Sequence, residues 1–398
     1  MAEKRRDHKN RVLRLGESQR KDGRYAYKYT NALGNVQFVY AWKLVPTDKT
    51  PAGKRDDRSL REKEAAIQKD LADGIDTLGK KMTVCELYEK QTRHRGNVRY
   101  NTRKGRERLM KLLEADKLGS CPIDQVKPSD AKEWALRMKA KGISYKTISN
   151  DKRSLKAAFY TAIQDDYIRK NPFDFQLNTV IEDDTAAKVP LTPKQEESLL
   201  AFMQEDHIYQ KYRDEVIILL GTGLRVSELC GLTERDLDFE TRVIHIDHQL
   251  LRSTETGYYI EKPKTQSGIR QIPMRKDVYE ALKRVVESCK GAKPVTIDGY
   301  SNFLFRNRDG CPKTNVNYDG MFRGLVKKYN KCHKKALPEV MTPHTLRHTF
   351  CTNLANAGMN PKALQYLMGH SNITMTLDYY THATVASARA EMERVLAM

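Results

Sequence analysis

The first eighty residues of the chain alternate apolar and polar positions, and the remainder mostly follows a helical period. Tyr25, Tyr27 and Tyr29 fall on every second position, "NALG" at Asn31 to Gly34 offers a turn, and Val36, Phe38, Tyr40 and Trp42 alternate again. Period two on both sides of a glycine-containing turn predicts a β-hairpin, with "RVLRL" at Arg11 to Leu15 read as a third strand. At least half of those aromatics are expected to form the core of this small sheet. After the Pro/Gly/Lys stretch "VPTDKTPAGKRDD" the period changes: Ser59 and Glu62 make a capping box, and Leu60, Ile67 and Leu71 follow at helical spacing.

From Met82 to Phe175 the segments "TVCELYEKQT", "YNTRKGRERLMKLLEAD", "SDAKEWALRMKAKG" and "SYKTISNDKRSLKAAFYTAIQDDYI" predict four short helices, the third ended by Gly142. "KNPFDF" and "NTVIEDDTAAKVP" carry no period and are read as a linker. The "EDD" at Glu182 to Asp184 has no His or Gly partner nearby, so it reads as solvated charge and not as a metal loop. Thr192, Pro193 and Gln195 then open a helix, and a buried run "EVIILLGTG" leads into "LRVSELCGL". Strand-like "RVIHIDHQ", "GYYIEK" and "IRQIPM" follow, with Lys264 expected at the tip of a hairpin formed by the last two. Helical patterns resume from "MTPHTLRHTFCTNLANAG" through the tail, where Val385, Ala388, Met392 and Val395 share a face. The expected fold is multidomain and mainly α with small β-sheets. It comprises an N-terminal three-stranded sheet plus helix (residues 1–80), a helical domain (81–180) and a mixed α+β domain (181–398).

Charge sharpens this outline. The 398 residues carry a net charge of +20, and most of the excess lies in the first 180. Basic charge concentrated in one part of a chain suits a surface that displaces counterions from a polyanion. No apolar run approaches the ~20 residues needed to span a bilayer, and the charged "MAEKRRDHKN" is no secretory signal, so the expected location is the cytoplasm. Seven scattered cysteines without a CxxC pair argue against a disulfide framework or a zinc ribbon.

The candidate chemistry lies near the end. Thr342 as N-cap and Pro343 at the first helical position place His344 and Arg347 of "HTLRHTF" on one face of a helix start, an arrangement that invites an anion. Leu346 and Phe350 look like core, so His348 is read as supporting the fold. About 120 residues upstream, "GTGLRVSEL" sets Arg225 just after a glycine-rich turn, with Glu228 three residues on. Downstream, "LMGHSNITMTLDYY" sets His370 after a helix-ending Gly369 and Tyr379 nine residues later.

This ordered set of Arg225, Lys264, His344, Arg347, His370 and Tyr379 resembles the tyrosine recombinase (phage-integrase) family across residues 185–398. The two preceding segments resemble the core-binding and arm-binding domains of heterobivalent integrases, most closely those of conjugative transposons. The resemblance implies a site-specific DNA recombinase that breaks and rejoins double-stranded DNA at core and arm sites of a mobile element. It also implies a homotetramer on DNA held through the C-terminal helix, and accessory DNA-bending proteins. Two tyrosines adjoin in "DYYTH": spacing from His370 favours Tyr379, whereas the "YTH" ending favours Tyr380. A Xer-like resolvase, which lacks the first domain, and a non-catalytic DNA-binding regulator are the alternatives.

The chemistry is coherent by itself. A tyrosine of pKa about 10 needs positive potential to lose its proton at neutral pH. Two forked guanidiniums, Arg225 and Arg347, match the charge that gathers on a phosphodiester under attack. The departing 5′ oxygen needs a proton, and Lys264 is the candidate acid; His344 assists at the attacking or leaving oxygen, and His370 hydrogen-bonds the phosphate. Phosphoester energy conserved in a 3′-phosphotyrosyl link requires neither ATP nor metal, and no cofactor is expected.

Overall fold

The computed structural model describes residues 5–31, 34–73, 79–96, 98–185, 189–291, 293–333 and 337–380, with isolated positions 392, 393 and 396. The chain forms two compact units, residues 1–186 and 187–398.

In the first unit β1 (Glu17–Gln19), β2 (Tyr25–Thr30) and β3 (Val36–Ala41) make an antiparallel sheet in that order. The register sets Ala26 opposite Tyr40 and Lys28 opposite Phe38. The third strand is therefore Glu17–Gln19, and the expected Arg11–Leu15 contributes only a bridge from Val12 to Arg6. Gly16 marks the offset: at φ +87° it turns the chain, its carbonyl accepts from the Lys28 N–H at 2.9 Å, and a Cβ there would lie 2.7 Å from the Lys28 carbonyl oxygen. Helix α1 (Leu60–Ala72) starts at the expected capping box of Ser59 and Glu62 and covers one face of the sheet, burying Tyr25, Tyr27, Leu44 and Leu60. The aromatics divide by strand. Those of β2 face α1, whereas Phe38 and Tyr40 of β3 are exposed on the other face.

The helical part comprises α2 (Val84–His94), α3 (Tyr100–Glu114), α4 (Pro128–Ala140) and α5 (Tyr145–Gln164) around Trp134 and Phe159. Gly142, at φ +77°, follows the end of α4 as expected. The linker expectation needs correction. Phe173, Leu177 and Ile181 are buried in this same core, and Asn171 braces the irregular chain by donating to the Lys156 carbonyl and accepting from the Phe173 N–H. Asp184 of the acidic "EDD" pairs with Lys139.

The second unit opens with α6 (Pro193–Glu205), capped by Thr192 and Gln195 as expected. Helix α7 (Arg213–Thr222) is buried from Glu215 to its end, and truncating one of its core side chains costs ~2–5 kcal/mol. The short α8 (Val226–Gly231) follows, then a three-stranded sheet of β4 (Leu237–Asp238), β5 (Val243–Ile246) and β8 (Arg270–Pro273), and a separate hairpin of β6 (Gln249–Ser253) and β7 (Gly257–Glu261). Because β7 pairs with β6 and β8 with β5, Lys264 is not at the tip of a β7–β8 hairpin. It lies on the exposed connection between the two sheets, where Pro263, lacking an N–H, cannot extend a ladder.

Helix α9 (Lys276–Cys289) packs on α7, with Gly221 allowing the approach, since a Cβ there would sit 2.3 Å from Val278. Helices α10 (Asn315–Cys332), α11 (Pro343–Asn356), α12 (Pro361–Met368) and α13 (Thr374–Leu377) complete the unit, followed by a 3₁₀ turn at Asp378–Tyr380. The tail read as helical from Val385 lies, isolated positions apart, outside the described residues. No helix among the described residues is long and apolar enough to cross a membrane.

Candidate active site

Four helix ends meet at one place. Helix α7 stops at Gly223, left-handed at φ +63°, where a Cβ would strike the Phe350 ring at 2.4 Å. The chain turns there and presents Arg225 as the N-cap residue of α8, with Glu228 accepting from the Arg225 backbone N–H at 2.9 Å and from its guanidinium at 2.6 Å. Helix α11 begins at Thr342 and Pro343, as read from the sequence, and carries Arg347 inward. Arg347 donates to the Gly223 carbonyl at 2.6 Å and to that of Met368, the last residue of α12. Arg225 donates to the Gly369 carbonyl at 3.1 Å, and Gly369, at φ +61°, directs the chain into His370.

These groups set one another's protonation. Burial, then the charges of Arg347, Arg225, Arg270 and His344, pushes His370 down to about 4, so it is neutral at pH 7; its Nδ1 lies 3.0 Å from the Thr376 hydroxyl. Burial and neighbouring Arg225 lower Arg347 to about 9, which leaves it cationic at neutral pH. Burial alone would raise the Glu228 carboxyl, but hydrogen bonds from Arg270 and the charges of Arg270, Arg225 and Arg347 hold it at about 2.

Tyr379 and Tyr380 share the 3₁₀ turn but not their surroundings. The Tyr380 hydroxyl donates to the Met359 carbonyl at 2.5 Å. Burial first and Cys351 second raise the Tyr379 pKa above its ordinary value, and the charge of Arg347 offsets them only in part. Its ring stands 4.8 Å, centroid to centroid, from that of His348. His348, expected only to support the fold, is therefore a neighbour of Tyr379.

Two expected members stand outside the buried cluster. His344 is exposed in the first turn of α11, within electrostatic reach of His370. Lys264 is exposed on its connection, and the same loop approaches the cluster at Ser267, whose carbonyl oxygen lies 3.0 Å from where a Gly369 Cβ would be. One member escapes the sequence reading. Arg270 has a fully buried side chain and donates to both Glu228 oxygens at 3.0 and 2.8 Å. Its signal lies in "IRQIPM", where alternation places Arg270 on the same inward face as Ile272.

Among the described residues the one group with metal-ligand proximity is Asp236, Asp247 and His248. Its members already have partners: Asp236 accepts from the Thr233 N–H and hydroxyl, and His248 lies between Asp247 and the Gly231 carbonyl. In the first unit, the open sheet face forms a second candidate surface, with Arg20 and Arg24 over the Tyr40 ring and Arg24 and Lys54 over Trp42.

Comparison with known proteins shows the family. Residues 190–387 match the phage integrase family, and residues 1–71 match the DNA binding domain of Tn916 integrase. The transposase from transposon Tn1545 of Streptococcus agalactiae is 64% identical over 395 residues, covering 99% of this chain and 97% of that protein. The Tn1549 transposon integrase (residues 82–397, Y379F) in complex with transposon right end DNA is 71% identical, with a TM-score of 0.75 over 79% of this chain and 100% of that one. Its R225K form with a circular intermediate DNA is 72% identical, with a TM-score of 0.76 over 79% of this chain and 99% of that one. The chain thus belongs to the phage integrase family, the tyrosine recombinases, enzymes that cleave and rejoin DNA.

Proposed function

We propose that this chain integrates and excises a conjugative transposon by site-specific recombination, with Tyr379 as nucleophile and Arg225, Lys264, His344, Arg347 and His370 as its catalytic partners. The carrying observation is the convergence of Arg225, Arg347 and a neutral His370 on the helix ends at Gly223 and Gly369, with the Tyr379 ring packed 4.8 Å from that of His348 on the helix that carries Arg347. Bound there, a phosphodiester meets two forked cations and a neutral imidazole. Attack by the Tyr379 oxygen forms a 3′-phosphotyrosyl bond as the bond to the 5′ oxygen breaks. Lys264 supplies the proton to that oxygen, and His344 assists at the attacking or leaving oxygen. Another 5′ hydroxyl then attacks the link, releasing Tyr379 and joining the exchanged strands.

The choice of Tyr379 is supported by the occupied Tyr380 hydroxyl. The substitutions in the Tn1549 integrase structures, Y379F and R225K, have the same residue types and numbers as Tyr379 and Arg225 here. We assign residues 1–80 to arm-site DNA through the open, arginine-lined sheet face, residues 81–186 to core-site DNA, and residues 187–398 to catalysis, the last boundary moved from 180/181 because Ile181 belongs to the helical core. Assembly is a homotetramer on DNA coupled through the C-terminal segment, with accessory DNA-bending proteins at the arm sites. The test is a nicked, labelled attachment-site duplex. A protease-sensitive covalent adduct is expected, and its absence with every duplex tried would favour a DNA-binding protein without catalysis.

A further inference from the structure

We infer that Arg270 is a positioning residue for DNA cleavage, the hub that holds Arg225, the Lys264-bearing loop and the His370 segment in one register. The inference rests on the catalytic reading above. A wholly buried guanidinium is expensive unless its donors are used, and here all three nitrogens donate, in three directions. Toward α8, Arg270 makes a two-pronged contact to Glu228, which in turn accepts from the Arg225 guanidinium at 2.6 Å. Toward the loop, it donates to the Gly268 carbonyl at 3.1 Å, four residues beyond Lys264. Toward α12, its Nε donates to the Leu367 carbonyl at 2.7 Å, just before Gly369 and His370.

A Cβ on Gly369 would sit 3.1 Å from the Arg270 guanidinium nitrogen and 3.0 Å from the Ser267 carbonyl, so loop, hub and α12 end are in mutual contact. Arg270 touches no reacting atom in this scheme. Its fork fixes both oxygens of Glu228, leaving that carboxylate one orientation from which to hold Arg225. An ammonium cannot reproduce the fork, because lysine is a point charge on a flexible stem. Loss of geometry at the phosphate of the order of 1 Å costs about 100-fold in rate.

The test uses the full chain and a suicide duplex whose cleaved strand cannot religate, reading the single-turnover rate of covalent adduct formation and, separately, DNA affinity. R270K and R270M are expected to cleave about 100-fold more slowly with affinity within about threefold of native. R270M is expected to cost less in the E228Q background than in the native one, because the part of its role that passes through Glu228 is already lost there, while its holds on Gly268 and Leu367 remain to be lost. A duplex with sulfur in place of the 5′ bridging oxygen has a leaving group that needs no proton, since a thiol's ordinary pKa is about 8.5. That duplex should rescue K264A and leave R270K slow.

Native-like cleavage by R270K while R225K is inactive would overturn the hub and leave the catalytic reading standing. So would equal costs of R270M in the native and E228Q backgrounds, or an affinity loss matching the rate loss in all three Arg270 variants. Failure of the sulfur duplex to rescue K264A would instead count against Lys264 as the acid.

Discussion

Between pH 7 and pH 5, acid should destabilise the second unit chiefly through one residue, His370. Burial first, then three arginines and His344, depress its pKa from 6.5 to about 4, so the unfolded chain takes up the proton well before the folded one does. With a depressed folded value, His370 imposes no penalty above pH 6.5; stability falls as the pH drops below 6.5 and stops falling below about 4. The full difference corresponds to ~3 kcal/mol at 1.36 kcal/mol per pH unit, and ~2 kcal/mol of it falls between pH 7 and pH 5.

The depressed carboxylate Glu228 contributes only below its unfolded value of 4.5, outside that window, whereas Glu196, raised by burial, acts in the opposite sense. The comparison is therefore the native chain against His370→Gln, in which both carboxyls are common. Tryptophan fluorescence is unsuitable, because Trp42 and Trp134 both lie in the first unit. Hydrogen exchange of the α7 amides, corrected for the intrinsic pH dependence of exchange, reports the right unit. The native chain should lose ~2 kcal/mol of protection from pH 7 to pH 5, and His370→Gln well under half of that. Parallel slopes for the two proteins would refute the assignment.

Other outcomes are equally direct. Tyr379→Phe should abolish the covalent adduct, whereas Tyr380→Phe, which loses one hydrogen bond to Met359, should keep it at a cost of ~1 kcal/mol in stability; an adduct surviving in Tyr379→Phe on a gel would reverse the choice of nucleophile. Glu228→Gln leaves buried guanidiniums without their carboxylate and should destabilise the catalytic unit by ~3–5 kcal/mol in a denaturant titration, and a change below ~1 kcal/mol would contradict the burial argument. Arg24→Ala on the open sheet face should weaken arm-site binding and lower the slope of log affinity against log salt by about 1 for each phosphate no longer neutralised, with core-site binding unchanged. Deleting residues 385–398 should preserve DNA binding and weaken recombination; recombination at the native level would refute coupling through the tail.

Local signals in the sequence are accurate where a single turn of chain decides the outcome. The capping boxes at Ser59 and Thr192, the proline-led start of α11 and the glycine stops at Gly142, Gly223 and Gly369 all lie where local chemistry puts them. Pairing is not legible, because alternation marks "GYYIEK" and "IRQIPM" as strands without naming their partners. Lys264, expected at a hairpin tip, consequently lies instead between two sheets. The core role of Phe173, Leu177 and Ile181 is hidden because irregular chain buries apolar residues singly and leaves no period to detect. Arg270 is visible in principle as a charge on an inward position, yet its meaning depends on Glu228, 42 residues away in sequence.

The two glycine-ended helices have a further consequence for charge. Arg347 and Arg225 are both held by carbonyl oxygens at the C-terminal ends of α7 and α12, at Gly223, Met368 and Gly369. A helix C-terminus presents about half a negative charge spread over its last carbonyls, enough to orient a guanidinium but not to neutralise it. Arg347 has no carboxylate within ion-pair distance among the described residues. Its tether is a dipole, so the positive charge brought into this buried position stays available for an incoming phosphate and need not first be freed from a counter-ion.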